Sequence, residues 1–233
     1  ISVIIPALDE EKHLRRTLEP LQNENIEIIL ADGGSRDRTA LISREMGARV
    51  VAGPQGRASQ MNAGARAAKG DIMLFLHADT ILPQGWAGAV IDAVKGGYGA
   101  GAFRLRLADP GWFYRFIAAA ANLRSRLLSL PYGDQAYFVR RDVYEAAGGF
   151  PGEPILEDVV FWRRVRRITR TIILPLDARS SARRWQAHGR IWLMGRHFLI
   201  ISGWILGISP STLARLGRTK ISTPARAERE GKS

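Results

Sequence analysis

Residues 73–80 read MLFLHADT, an apolar run that stops abruptly on His77 and Asp79. A short apolar run of this kind suits a strand buried on both faces, and it is the fourth of its type. SVII (2–5) is closed by Pro6, IEIILA (26–31) runs into the turn DGGS, and ARVVA (48–52) follows a helix expected around 38–46. Asp9 has the chemistry of an N-cap, with Glu10 and Glu11 in the first turn of a helix that places Leu14, Leu18 and Leu21 on one face. Another helix is expected from about 57 to 68. This βαβαβαβ rhythm predicts a parallel sheet covered by helices on both sides.

Beyond residue 97 the regularity loosens. GAGAFRLRL (99–107) reads as a strand, WFYRFIAAAANLRSRLL (112–128) as a helix, QAYFV (135–139) as a strand and DVYEAAGG as a short helix ending on glycine. A helix is expected to start near Glu157, and RTIILP (170–175) reads as a last strand. The organisation that follows is one domain over 1–189, with halves at 1–97 and 98–189. Amphipathic helices are expected over 190–221 and a disordered polar tail over 222–233.

Composition narrows the function classes. The 233 residues are 46% apolar, which excludes global disorder. There is no cysteine, so disulfides, thiolate metal sites and a cysteine nucleophile are excluded. No signal-peptide pattern opens the chain, which begins at Ile1 without a methionine and leaves room for a few residues ahead of it. The net charge of +12 lies entirely beyond residue 100, a basic half suited to nucleic acid, an anionic membrane or a phosphorylated substrate.

In open α/β sheets, ligands bind beyond the carboxyl ends of the strands. That rule collects Pro6 to Glu10, Asp32 to Ser35 and His77 to Asp79 at one edge. Asp32 before two glycines lets a ligand lie close to backbone, or else forms an Asx turn leading into a helix cap. Asp79 is a hard oxygen ligand suited to Mg2+ or Mn2+, and His77 offers an imidazole to Mn2+. Read alone, the same pair also fits a cap and a packed ring. Three acidic loops on one edge are costly without a cation or a hydrogen-bonding ligand.

The order of the motifs carries more than any one of them. ISVIIPALDEE, IILADGGSRDRT and GRASQMNAGARAAKGDIMLFLHADT together resemble the nucleotide-binding half of family 2 glycosyltransferases. YGDQAYFVRRDVYEAAGGF, PILEDVVFWRRV and SARRW (181–185) resemble the acceptor half, the last with serine in place of the glutamine of Q-x-x-R-W. The resemblance covers about residues 1–190. It implies a GT-A fold, a Rossmann-like, mostly parallel sheet with a C-terminal amphipathic helical segment added here. The LHAD form resembles a compact bacterial subgroup.

By the same resemblance, Pro6, Ala7, Glu10, Asp32, Arg57 and Ala78 bind the nucleotide, while Asp79 and His77 hold Mn2+ or Mg2+. His77 replaces the first aspartate of the family's D-x-D, which removes one negative charge. Asp158 is the catalytic base. Asp134, Gln135, Glu157, Arg184 and Trp185 contact the acceptor or the donor sugar. The implied activity is metal-dependent, inverting transfer from a nucleotide sugar, a UDP-sugar, to a hydroxyl acceptor, with a lipid-linked one in view. The bland alternatives are a helix start at Glu157–Asp158, a turn closing PYGD, and a basic surface stretch at Arg184–Trp185.

RIWLMGRHFLIISGWILGIS (190–209) is interrupted by Arg196 and His197, so its uncharged part is too short to span a bilayer. It reads as a membrane-interface helix with Trp192 and Trp204 at headgroup depth, or as a face packed on the domain or a second subunit. A peripheral place on the cytoplasmic side of the membrane follows from the first reading. A sugar-nucleotide nucleotidyltransferase is the rival enzyme, disfavoured because PALDEE lacks a glycine-rich basic loop. A nucleic-acid-binding protein is the other rival, without a recognition-helix, zinc or RNP-type signature.

Overall fold

The computed structural model describes residues 1–22, 24–183, 186 and 190–217. The chain's first strand, β1 (Ser2–Ala7), sits inside the sheet between β2 (Glu27–Asp32) and β4 (Ile72–Phe75), parallel to both. Beyond β2 lies β3 (Arg49–Ala52). Alternation along β1 sends Val3 and Ile5 to one face and Ile4 to the other, and all three are fully buried. The first face packs against Leu14 and Leu18 of α1 (Glu11–Leu18) and Trp86 and Val90 of α4 (Trp86–Lys95). The second packs against Met61 and Ala65 of α3 (Arg57–Ala67) and Phe161 and Trp162 of α7 (Glu157–Ile168). Burial on both faces explains why the strands are continuous apolar runs; each such side chain contributes about 2 kcal/mol.

The sheet order is β3-β2-β1-β4-β7-β6-β8-β5, with α2 (Thr39–Glu45) joining β2 to β3. The sheet is mostly parallel, as expected, and two strands run against the rest. β7 (Tyr137–Arg140) runs antiparallel between β4 and β6 (Ala100–Leu107), and β5 (Thr80–Ile81) runs antiparallel to β8 (Thr171–Ser180). β6 and β8 pair in parallel, with a register irregularity between Ala102 and Arg104. The sheet is therefore mixed, with most strands running one way and helices on both sides.

Other differences are local. β1 continues through Pro6 to Ala7. The N-cap of α1 is Glu10; Asp9 adopts a left-handed φ of 54° and uses its carboxylate elsewhere. β5 and α4 were not anticipated. A two-residue strand leaves no period to detect, and Gly88 with three alanines dilutes the apolar face of α4. β8 runs five residues past the expected stop.

On the far side, α5 (Trp112–Leu128) lies along β6, and α6 (Arg141–Ala146) follows β7. The segment expected over 190–221 begins with α8 (Arg190–Ile205) and α9 (Pro210–Gly217). Trp204 of α8 packs on the second core cluster beneath the Arg163 guanidinium. Among the described residues no helix is long and apolar enough to cross a membrane. The tail expected from 222 lies outside the described residues.

α3 presses on β1 at one point. A Cβ added to Gly64 would lie 2.4 Å from Cγ2 of Ile4, so glycine sets the helix-to-sheet distance there. Gly64→Ala is expected to destabilise the fold by about 1–3 kcal/mol through overpacking, read from urea unfolding midpoints.

Candidate active site

Three loops leave the carboxyl ends of β1, β2 and β4, and specific contacts pin them together. Gln60 of α3 is buried and donates from Nε2 to the carbonyl oxygens of Ala7 (2.6 Å) and Ala31 (3.0 Å). A Cβ on Gly33 would lie 2.8 Å from that nitrogen, so Gly33 is needed for the approach. Its own N–H donates to Ala7 O at 2.9 Å. Asp32 Oδ1 accepts from the backbone N (3.1 Å) and hydroxyl (2.5 Å) of Ser35. This is the turn that the bland reading of Asp32 foresaw, and it leaves Oδ2 without a hydrogen bond among the described residues. The Asp9 N–H reaches Ser35 Oγ at 3.0 Å, and Asp9 Oδ1 accepts from Arg36 N at 2.7 Å. The first two loops are thus one braced unit.

The third loop is held by a cation that sequence reasoning passed over. Arg183 donates from Nη1 and Nη2 to the two carboxylate oxygens of Glu10, at 2.8 and 2.5 Å. Its Nε lies 2.9 Å from Asp79 Oδ2. A bidentate guanidinium between two largely buried carboxylates is a strong, directional arrangement. The Glu10 hydrogen bond, followed by the Asp79 charge, raises the Arg183 pKa against the opposing effect of burial. Asp79 sits in a turn in which Thr80 N donates to His77 O, and Thr17 Oγ1 secures it by donating to Ala78 O at 2.8 Å. Arg183 belongs to the SARRW stretch, directly before Arg184. Arg184 and Trp185 themselves lie outside the described residues.

A cavity of about 370 Å³ opens beside this edge, lined by Arg57, His77, Tyr132, Gly133, Asp134, Glu157 and Asp158, with Arg196 and Ile200 of α8 on its far wall. Asp158 Oδ2 accepts from Gly133 N at 2.7 Å and Oδ1 from Val159 N at 2.8 Å. Two backbone donors therefore aim the carboxylate. A Cβ on Gly133 would fall 2.7 Å from His77 Nε2 and 3.5 Å from Asp158 Oδ2, so imidazole and carboxylate flank the same bare backbone. Leu156, the residue before α7, has a left-handed φ of 62°, and Ala136, after the 133–135 turn, has φ 41°. Non-glycine residues held there cost of order 1–3 kcal/mol each and cluster where a site over-determines its backbone.

The expected residues divide between two places. His77, Arg57, Asp134, Glu157 and Asp158 share the cavity. Glu10 and Asp79 are joined through Arg183, while Asp32, Pro6, Ala7 and Ala78 belong to the braced loops. Asp32 and Asp79 are not among the cavity's lining residues. His77, expected beside Asp79 on a metal, instead has its ring against Gly133. Arg57, expected near the nucleotide, has Nη1 3.4 Å from Glu157 Oε1.

Gln135 is corrected outright. It is fully buried, accepts from Ser125 Oγ at 2.6 Å and donates to Phe103 O at 3.0 Å, so its amide builds the turn and does not face a ligand. Tyr132 and Arg196 were not anticipated in the cavity. Tyr132 is stacked under the Arg124 guanidinium at 3.4 Å, and burial pushes its pKa up to about 12.

Among the described residues no group of three His, Asp or Glu side chains is arranged to hold a metal ion. Asp79 alone fits the donor set of a hard cation that takes its remaining oxygens from phosphate and water, as Mg2+ and Mn2+ do at nucleotide sites. The arrangement can do two things chemically: attract a cation at the Glu10–Arg183–Asp79 edge, where two carboxylates face one guanidinium, and accept a proton at Asp158.

Comparison with known proteins agrees on family and architecture. The family described as Glycosyl transferase family 2 matches residues 2–146. The undecaprenyl-phosphate 4-deoxy-4-formamido-L-arabinose transferase of Edwardsiella ictaluri (strain 93-146) is 35% identical over 137 residues, covering 52% of this chain and 42% of that protein. The chain spans less than half the length of the curated relatives it matches. Among solved structures, S. aureus TarS 1-349 in complex with UDP-GlcNAc superposes with a TM-score of 0.62 at 16% identity, over 77% of this chain and 58% of that one. Glucosyl-3-phosphoglycerate synthase from Mycobacterium tuberculosis, in complex with Mn2+, UDP and phosphoglyceric acid, does so at 0.55 and 22%, over 76% and 68%. The architecture is that of GT-A glycosyltransferases.

Burial, then the adjacent Asp158 charge, raises the Glu157 pKa, with Arg57 opposing. A carboxyl whose folded pKa lies above its unfolded value costs no stability in acid; the cost grows as the pH climbs above the unfolded value and levels off once the folded value is passed. The stability of Glu157→Gln relative to wild type is therefore expected to rise as the pH climbs above about 4, the ordinary glutamate range, measured by urea unfolding at a series of pH values.

Proposed function

We propose, for a chain that belongs to glycosyltransferase family 2, that it moves a sugar from a nucleotide sugar, a UDP-sugar, to an acceptor hydroxyl with inversion at the anomeric carbon. The observation that carries this reading is the Asp158 carboxylate, aimed by the Gly133 and Val159 amides into a cavity it shares with His77 and Arg57. Transfer needs a base on the acceptor side of the sugar, and a carboxylate fixed by backbone donors meets that need without depending on mobile side chains. Glu157, beside it on the first turn of α7, orients the acceptor together with Asp134. The family membership takes away the basis for the nucleotidyltransferase and nucleic-acid-binding alternatives.

The donor side falls to the braced loops. Asp32 and the backbone of Pro6, Ala7 and Ala78 bound the nucleotide, with Glu10 closing the edge. Asp79 would hold a divalent cation, Mn2+ or Mg2+, with Arg183 supplying positive charge to the diphosphate. When bound, that cation stabilises the negative charge that accumulates on the leaving diphosphate. The complex of M. tuberculosis glucosyl-3-phosphoglycerate synthase with Mn2+ and UDP, and that of S. aureus TarS with UDP-GlcNAc, support the donor class.

The name of the E. ictaluri relative, an undecaprenyl-phosphate sugar transferase, supports an acceptor or partner that is lipid-linked. On that reading α8 touches the membrane, and the enzyme works peripherally at its cytoplasmic face. Arg196 and Ile200 of α8 line the cavity, so an acceptor entering from lipid would meet this helix first.

Purified protein incubated with several nucleotide sugars and Mn2+ is expected to hydrolyse or transfer from at least one of them, seen by nucleotide release. Asp158→Asn should lower that rate by about 10²–10⁴-fold with UDP binding retained. Asp79→Ala should abolish the increase in Mn2+ binding that UDP produces, read by electron paramagnetic resonance. Full activity in Asp158→Asn, with the fold intact by circular dichroism, would remove the proposal.

A further inference from the structure

α5 is apolar on two opposite sides. Its inner side, Tyr114, Ala118 and the partly buried Phe113, Ile117 and Ala121, packs on Leu105 and Leu107 of β6. The outer side is apolar as well. Trp112 is 80% exposed, Phe116 56%, Leu123 57% and Leu127 72%, with the exposed Ala119 and Ala120 between them. At 100° per residue these six positions fall on one stripe of the helix. A helix with apolar residues on opposite sides normally has something against each, yet nothing among the described residues covers this one.

The border of the stripe is cationic. α5 contains no Asp or Glu, and its exposed Arg115 and Arg126 fall along one edge of the apolar face. Beyond that edge is a cleft of about 970 Å³, to which β6 adds Arg104 and Arg106 and β8 adds Arg179. Its two acids are engaged: Asp177 accepts from Arg104 at 2.8 Å, and Asp109 accepts from Ala182 N and Gln186 Nε2. Arg106, Arg115, Arg126 and Arg179 enter no ion pair among the described residues.

We infer that the outer face of α5 is a docking surface for an anionic lipid bilayer, with Trp112, Phe116, Leu123 and Leu127 entering the headgroup region and the four unpaired arginines contacting lipid phosphates. Charge complementarity selects this occupant. A second copy of the chain meeting the same face about a two-fold axis would bring arginine borders together with no acid on α5 to offset them. An interfacial helix with an aromatic residue at its start and cations along its edge matches a negatively charged leaflet on both counts. This surface is separate from α8, and the inference stands whichever acceptor the enzyme uses.

The test is flotation with vesicles of phosphatidylcholine alone or with added phosphatidylglycerol, on the full chain and three variants. Wild type is expected to float with the phosphatidylglycerol vesicles and to be released by salt. Combined Trp112→Ser, Phe116→Ser, Leu123→Ser and Leu127→Ser should weaken that binding at least about ten-fold, and Arg115→Gln with Arg126→Gln on the order of five-fold per arginine. The control, Leu199→Ser with Leu206→Ser, removes exposed side chains of α8 and of the turn that follows it. Loss in that control alone would assign membrane contact to α8 and overturn the inference for α5, leaving the proposed function in place.

Because the chain has no cysteine, Phe116→Cys carrying an environment-sensitive fluorophore reports on α5 even if the serine variant does not fold. A blue shift on adding phosphatidylglycerol vesicles is expected, and an unchanged spectrum overturns the inference. A dimer of wild type that the serine variant converts to monomer, seen by light scattering, would give the face to a second copy and overturn it equally.

Discussion

A strand that is dry on both faces can present polar chemistry only where it ends. β1 is in that position, with Val3, Ile4 and Ile5 fully buried between two helical layers. Everything ionisable that the first half of the chain brings to the ligand edge arrives after Ala7, after β2 or after β4. The close seat of α3 on Ile4 then places Gln60 where its amide joins the carbonyls of Ala7 and Ala31. Packing inside the sheet thus fixes the relative height of two loops that share no covalent neighbour.

The second constraint is electrostatic. Glu10 and Asp79 converge on one edge, and like charges brought together there need a counter-charge. Arg183 supplies it from the end of β8, more than a hundred residues further along the chain. Glu157 is treated differently: burial and the neighbouring Asp158 charge push its carboxyl toward the neutral form, against Arg57 at 3.4 Å.

Much of the fold was legible because both-face burial writes itself as uninterrupted apolar runs. β1, β2, β3 and β4, and the long helices α5 and α7, were read within a few residues of their bounds. The direction of β7 was not legible: a run such as AYFV carries the same pattern whether parallel or antiparallel, and β7 is buried either way. The two-residue β5 and the alanine-diluted α4 carried too little period. At the site, acids followed by glycines at strand ends were visible, since turn chemistry is local. What could not be seen were contacts across sequence distance, among them Arg183 on Glu10, Gln135 consumed within the core, and the ring of His77 lying over Gly133.

The manner in which Asp158 is held bears on how such a cavity changes over time. Its oxygens rest on two peptide N–H groups, and no substitution short of proline deletes a peptide N–H. Residues around the rim, such as Tyr132, Asp134 and those of α8, can therefore be exchanged without turning the carboxylate. On the proposed function, chemistry and selectivity would be mechanically uncoupled: a new acceptor could be accommodated by drift at the walls while the carboxylate keeps its heading.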